Sequence, residues 1–281
     1  MMHEVLLDLP PVRFSLLPPM PRFRIAVAVA PFQLPLKEAV NAAAQIGAQG
    51  IQFDLRREVT VQQFGVTALK QLVHYVEERN LRIAAPTFTL EHPLYDRTLI
   101  DVRMQALFEA MELAAKLKSR QLTLRAGRIP DEAGTERDQM MEALRDLARH
   151  GNHLGVVLCL TPSEDAPATL LEICESITEG VVGIDFDPAG FVMTRRDPVA
   201  ALRDLHAHVQ HVQFRDGRRD VDGIGVEVPL GRGQVKWDEC LALLDEMRFD
   251  QWGTVRRTMG DDRLYDSQRA IQAIRRAAMQ L

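Results

Sequence analysis

Val181-Val-Gly-Ile-Asp-Phe-Asp187 sets Gly183, Asp185 and Asp187 on one side of an extended chain and Val182, Ile184 and Phe186 on the other, because successive side chains of a strand point to opposite faces. The apolar face suits burial under helices. The other face ends in two carboxylates, the pattern of a strand lining a closed barrel and carrying its polar groups toward the carboxyl end.

The same parity recurs along the chain. In 50–56, Ile51, Phe53 and Leu55 face outward and leave Gln52, Asp54 and Arg56 inside. Gln121, Thr123 and Arg125 oppose Leu122 and Leu124, and His211, Gln213 and Arg215 oppose Val212 and Phe214. Thr254 and Arg256 share the face opposite Val255 and Arg257. Strands are expected over 23–30, 50–56, 82–88, 121–125, 156–161, 181–187, 211–216 and 253–258. Between them, 101–117, 136–150, 198–208, 236–247 and 264–279 carry apolar residues at three- and four-residue intervals, the spacing of amphipathic helices. Alternation of this kind predicts parallel βα units, and eight of them predict an α/β fold of the (β/α)8 TIM barrel type in a single domain. The alternative, an open doubly wound sheet, lacks its usual signs: neither G-x-G-x-x-G nor G-x-x-x-x-G-K-[ST] follows the first strand. Residues 1–22, broken by Pro10, Pro11, Pro18, Pro19 and Pro21, read as a proline-rich extension strapped over the barrel bottom, with the barrel in 23–281.

The 281 residues fit one barrel, since such folds commonly run to about 250 residues. A net charge of −5 supplies no basic face for nucleic acid. The longest apolar run, 25–30, is far short of the ~20 residues a membrane span needs, and the N-terminus lacks the basic-then-apolar layout of a leader. Cys159, Cys174 and Cys240 form no C-x-x-C or Cys/His pattern, so neither a disulfide framework nor structural zinc is expected and a reducing cytoplasm is the expected location.

Other patterns carry less. His206 and His208 end a helix bearing Leu202 and Leu205 and read as surface groups, while His150 and His153 sit at a helix terminus whose dipole suits them. The stretch 216–225 loosely resembles a calcium loop but lacks its regular oxygen ligands, and reads as the long loop after the seventh strand. No G-x-S-x-G is present. Trp237 and Trp252 are expected to pack under loops.

Taken in order, His211-Val-Gln-Phe-Arg-Asp216, Val228-Pro-Leu-Gly-Arg-Gly233 and Trp237 resemble the H-x-H-x-K-D, P-L-G-x-G and W signature of the xylose isomerase-like barrels, the sugar phosphate isomerases and epimerases. Gly50-Ile-Gln-Phe-Asp-Leu-Arg56 and Ile184-Asp-Phe-Asp-Pro-Ala189 fit the second and sixth strands of that family. The resemblance implies one divalent metal (Mn, Mg or Zn) held by a Glu, an Asp, a His and a Glu on the fifth to eighth strands, with the glutamates moving a proton beside a carbonyl and the metal stabilising the enediolate. Those four positions fall here on Thr161, Asp187, Gln213 and Arg256, so Asp187 is the one residual ligand. A guanidinium repels a divalent cation, so no metal is expected unless a loop acid such as Glu164 or Asp165 rescues the site. In place of a metal, Arg256 is expected to pair with Asp187. Substrate contacts are expected from Arg56, Arg125, His211, Arg215 and Asp216. Two functions stand open: a divergent isomerase or epimerase with weak or no activity, and a non-catalytic barrel that binds a small sugar-like anion or a protein partner.

Overall fold

Period-two alternation makes the strands and three-to-four spacing the helices; the computed structural model describes residues 22–60, 63–220, 223 and 225–280. The strands are β1 (Arg24–Ala28), β2 (Gly50–Gln52), β3 (Arg82–Ile83), β4 (Thr87–Phe88), β5 (Gln121–Leu124), β6 (Val157–Leu160), β7 (Val182–Phe186), β8 (Val209–Phe214), β9 (Asp216–Arg218), β10 (Val226–Val228) and β11 (Trp252–Val255). The helices are α1 (Leu36–Gln45), α2 (Val66–Glu77), α3 (Ile100–Lys116), α4 (Thr135–Leu154), α5 (Pro167–Ser176), α6 (Pro188–Met193), α7 (Pro198–Leu205), α8 (Trp237–Glu246) and α9 (Arg263–Ala278). The proposed strap of 1–22 lies outside the described residues except for Arg22.

Nine strands run in the order β3-β2-β1-β11-β8-β7-β6-β5-β4, each pair parallel. β3 and β4 are halves of the third barrel strand, which the sequence predicts as one. The interruption falls at Pro86, which has no amide hydrogen for the ladder, although its carbonyl still accepts from Thr123 N at 2.8 Å. The ring closes where Asp54 bridges Thr87, with Thr87 N donating to Phe53 O at 2.8 Å. The fold is therefore an eight-position (β/α)8 barrel whose main sheet closes on itself.

The core lies between barrel and helices. Ile51, Phe53, Leu122, Leu124, Ile184, Phe186, Val212 and Phe214 are all buried in one continuous apolar cluster, which is the outward face the alternation assigns them. Inside the barrel, Trp252 packs with Ala26 and Ala84. Gly50 makes room for it: a Cβ there would meet the indole at 2.7 Å. Arg24 covers the ring at 4.3 Å. Trp252 thus plugs the barrel floor instead of lying under a loop, because it shares the inward parity of Thr254 and Arg256. Trp237 heads α8, edge-on to Phe214 at 5.6 Å.

The long loop expected after the seventh barrel strand is instead partly a ribbon. β9 and β10 pair antiparallel, Glu227 opposite Gly217. Asp216 anchors it: this fully buried carboxylate accepts from the amides of Gly217, Gly231, Gly233 and Val235 at 2.8, 2.9, 3.1 and 3.1 Å. Gly233 lies so close to that carboxylate that a side chain would collide with it, which explains the second glycine of Leu230-Gly-Arg-Gly233. Among the described residues no helix is long and apolar enough to cross a membrane.

Candidate functional site

Above the Trp252 floor the barrel interior turns polar in two tiers. The lower tier centres on Asp185, which is inaccessible to solvent. Its Oδ1 accepts from His211 Nδ1 at 2.6 Å, and its Oδ2 accepts from Thr161 Oγ1 and Gln213 Nε2, each at 2.5 Å. On its other side His211 Nε2 lies 2.8 Å from the Thr254 hydroxyl. Burial alone would raise the carboxyl's pKa, but the charge and hydrogen bond of His211, with the bonds from Thr161 and Gln213, hold it below the usual range. Asp185 is therefore an anion fixed by three donors.

The upper tier lies at the barrel mouth. Asp187 caps α6 by accepting from Gly190 N at 3.1 Å, and its other oxygen accepts from Arg215 at 3.0 Å with Arg125 at 3.7 Å. Arg215 also reaches Glu227 of the ribbon at 3.4 Å, and Glu227 continues to Arg257 at 3.0 Å. Arg257 ends on Asp266 of α9 at 2.8 Å. The result is a chain of alternating charge, Arg125, Asp187, Arg215, Glu227, Arg257 and Asp266, that ties the ribbon to the last barrel strand. Burial opposes ionisation of Glu227, but Arg215 and the hydrogen bonds from Thr258 and Met259 keep its pKa low.

Arg256 stands apart from this chain. Among the described residues its guanidinium makes no ion pair and no side-chain hydrogen bond, although Asp187, Asp185, Arg215 and Arg125 all bear on its charge. Its pKa is lowered, first by burial and then by Arg215. The pairing of Arg256 with Asp187 expected from the sequence is thus replaced by Arg215 with Asp187. The reason is register: β8 adjoins β7, whereas β11 is one strand further round, so the β8 arginine reaches the carboxylate first.

The remaining predicted contacts separate. Arg125 and Arg215 flank the mouth. His211 and Asp216, predicted to touch a ligand, have no exposed surface and are engaged by internal partners. Arg56 sits away from the charge chain, donating to Thr89 O at 3.0 Å and pairing with Glu91 at 2.9 Å. There it borders an apolar hollow of about 330 Å³ lined by Leu55, Phe88, Leu90 and Val102. Asp165, considered as a rescuing ligand, accepts from Ile129 N at 2.7 Å and Ser163 N at 2.8 Å, and Glu164 is exposed.

The four residues to which the resemblance assigns the metal do not fit a divalent cation. Thr161 and Gln213 are drawn down onto Asp185, Asp187 is held by Arg215, and Arg256 is itself a cation. Among the described residues no three His, Cys, Asp or Glu side chains come together as a metal group. Nor do the thiols offer a nucleophile: Cys174 and Cys240 are pushed up to about 12 chiefly by burial, and burial also raises Cys159 well above its ordinary value.

Sequence reasoning gave Asp187 the weight that belongs to Asp185, and it passed over Glu227. For Asp185 the signal was present, since it shares Asp187's parity one step deeper. For Glu227 the signal was the alternation Val226-Glu-Val228 inside an assumed loop.

A family model described as a xylose isomerase-like TIM barrel matches residues 40–277. No curated protein matches the chain in sequence. Among solved structures, a xylose isomerase domain protein from Planctomyces limnophilus superposes with TM-score 0.79 at 17% identity, covering 91% of this chain and 95% of the other. A xylose isomerase-like TIM barrel protein from Mycobacterium smegmatis in complex with magnesium gives 0.75 at 15%, covering 92% and 97%. D-psicose 3-epimerase with D-tagatose from Clostridium cellulolyticum H10 gives 0.73 at 11%, covering 91% and 99%.

Proposed function

Because the chain belongs to the xylose isomerase-like TIM barrel family, which is sugar isomerase and epimerase-like, we propose that it is a divergent member whose mouth binds an anionic sugar-like molecule without a resident metal and with little or no isomerase activity. The observation that carries this reading is Arg256: a guanidinium with no ion pair among the described residues stands where the resemblance calls for a metal-binding, proton-transferring glutamate. Thr161 at the fifth-strand position has no acid to offer either. The one acid left at those positions, Asp187, has its two oxygens engaged by the Gly190 amide and Arg215, which leaves it poorly placed to take a proton from carbon beside a carbonyl. What the mouth retains is recognition: Arg215 and Arg256 present cations in a partly buried setting where charge interactions outweigh those in bulk water, with exposed Arg125 at the rim.

Metal analysis of protein purified without chelator tests the reading. We expect far less than one divalent ion per chain, and no conversion of ketoses when manganese or magnesium is added. About one ion per chain, lost on Asp187→Ala, sinks it. A second reading, docking of a protein partner over the mouth, is favoured by the exposed Leu99, Val102, Val226, Met259 and Tyr265 on segments that follow barrel strands. Saturable binding of small anions with no exposed apolar residue required distinguishes the first reading from the second.

A further inference from the structure

We infer that the ligand's anionic group is a monoanionic carboxylate, as on an aldonate or uronate, and that Arg256 is the cation that receives it. The inference rests on the anion-binding reading above and narrows it to one ligand chemistry. Its basis is the charge count at the mouth. Along the connected chain, the cations Arg125, Arg215 and Arg257 alternate with the anions Asp187, Glu227 and Asp266, three against three. Among the described residues Arg256 is the mouth cation outside that chain, and Asp185 below it, which also bears on its charge, is already taken up by His211, Thr161 and Gln213. A carboxylate brings one negative charge at neutral pH, whereas a phosphate monoester brings about 1.5 to 2 and would leave excess negative charge beside Asp187 and Asp185.

Geometry points the same way. Among the described residues no acid forms an ion pair with Arg256: Asp187 is occupied by Arg215 and the Gly190 amide, and Glu227 by Arg215, Arg257 and the Thr258 hydroxyl. A free guanidinium offers a planar fork of donors that a carboxylate fills with two parallel hydrogen bonds. Burial and the like charge of Arg215 disfavour the cation as it stands, and an incoming anion relieves both.

Isothermal titration at low ionic strength, with D-gluconate, D-glucuronate, D-glucose 6-phosphate and D-glucose as probes, tests the assignment on the wild type, Arg256→Gln and Arg256→Lys. We expect at least one of the two carboxylates to bind more tightly than the phosphate ester, and the neutral sugar more weakly than either. Arg256→Gln should weaken carboxylate binding about tenfold or more, and Arg256→Lys should lie between because it keeps the charge and loses the fork. Since Arg256 makes no side-chain bond of its own, neither variant should lower the melting temperature. Tighter binding of the phosphate ester overturns the carboxylate assignment and leaves anion binding standing. Undiminished carboxylate binding by Arg256→Gln overturns the role of Arg256. Binding of none of the probes, or equal binding of the neutral sugar, overturns this inference and the reading beneath it together.

Discussion

Replacing Asp185 with Asn keeps the shape of the side chain and removes its charge. In the wild type this buried carboxylate accepts three hydrogen bonds, from His211, Thr161 and Gln213. An amide in the same place has one acceptor oxygen and a donor group turned toward other donors, so at least one buried donor loses its partner. An unmet buried donor costs about 1–3 kcal/mol, and stripping one partner from a buried charged pair costs roughly 3–5 kcal/mol. A loss near 4 kcal/mol in a chain of this size lowers the melting temperature by on the order of 10 °C. Thermal melts followed by circular dichroism at pH 7.5 measure it, with Thr161→Val as the milder reference because it removes a single donor. The pH dependence has a fixed sign. A carboxyl held below its ordinary pKa contributes stability that is present above the usual carboxylate range and lost as the pH falls through the depressed value. The gap between wild type and Asp185→Asn should therefore be full at pH 7 and close only below about pH 4. A variant melting within about 2 °C of wild type at pH 7.5 refutes the account of Asp185 as an anion locked by three donors.

Glu58 provides the opposite sign. Its carboxyl, raised to about 7 chiefly by burial, adds stability that is complete below its ordinary value of 4.5 and lost as the pH rises through 7, so Glu58→Gln should gain on the wild type between pH 5 and pH 8, by up to about 3 kcal/mol at roughly 1.4 kcal/mol per pH unit; parallel urea titrations with no change in the difference count against it. Asp216→Ala strips four amides of their acceptor and should expose the ribbon, giving tryptic cleavage after Arg218, Arg219 or Arg232 at least tenfold faster than in the wild type; an equal rate argues that the ribbon is held by other means. Gly50→Ala drives a methyl group into the Trp252 ring and should cost about 1–3 kcal/mol, visible as a lower melting temperature with a change in tryptophan emission.

The sequence by itself determined the barrel and the sorting of residues between its inside and outside, because side-chain parity along a strand is a local property. Val182, Ile184 and Phe186 point outward and Asp185 and Asp187 inward whatever the rest of the chain does. By resemblance in order and spacing it also pointed to Thr161, Asp187, Gln213 and Arg256 as the counterparts of the family's metal ligands. Which inward groups meet was decided only by the tertiary structure. Strand adjacency gave Asp187 to Arg215 and left Arg256 alone, and the depth of one residue along β7 made Asp185 the anion that gathers Thr161, Gln213 and His211. The ribbon likewise took Asp216 out of the mouth and brought Glu227 to it. Partners across a barrel are chosen by register and by competition for a few carboxylate oxygens, and those are properties of the closed sheet, absent from any single strand.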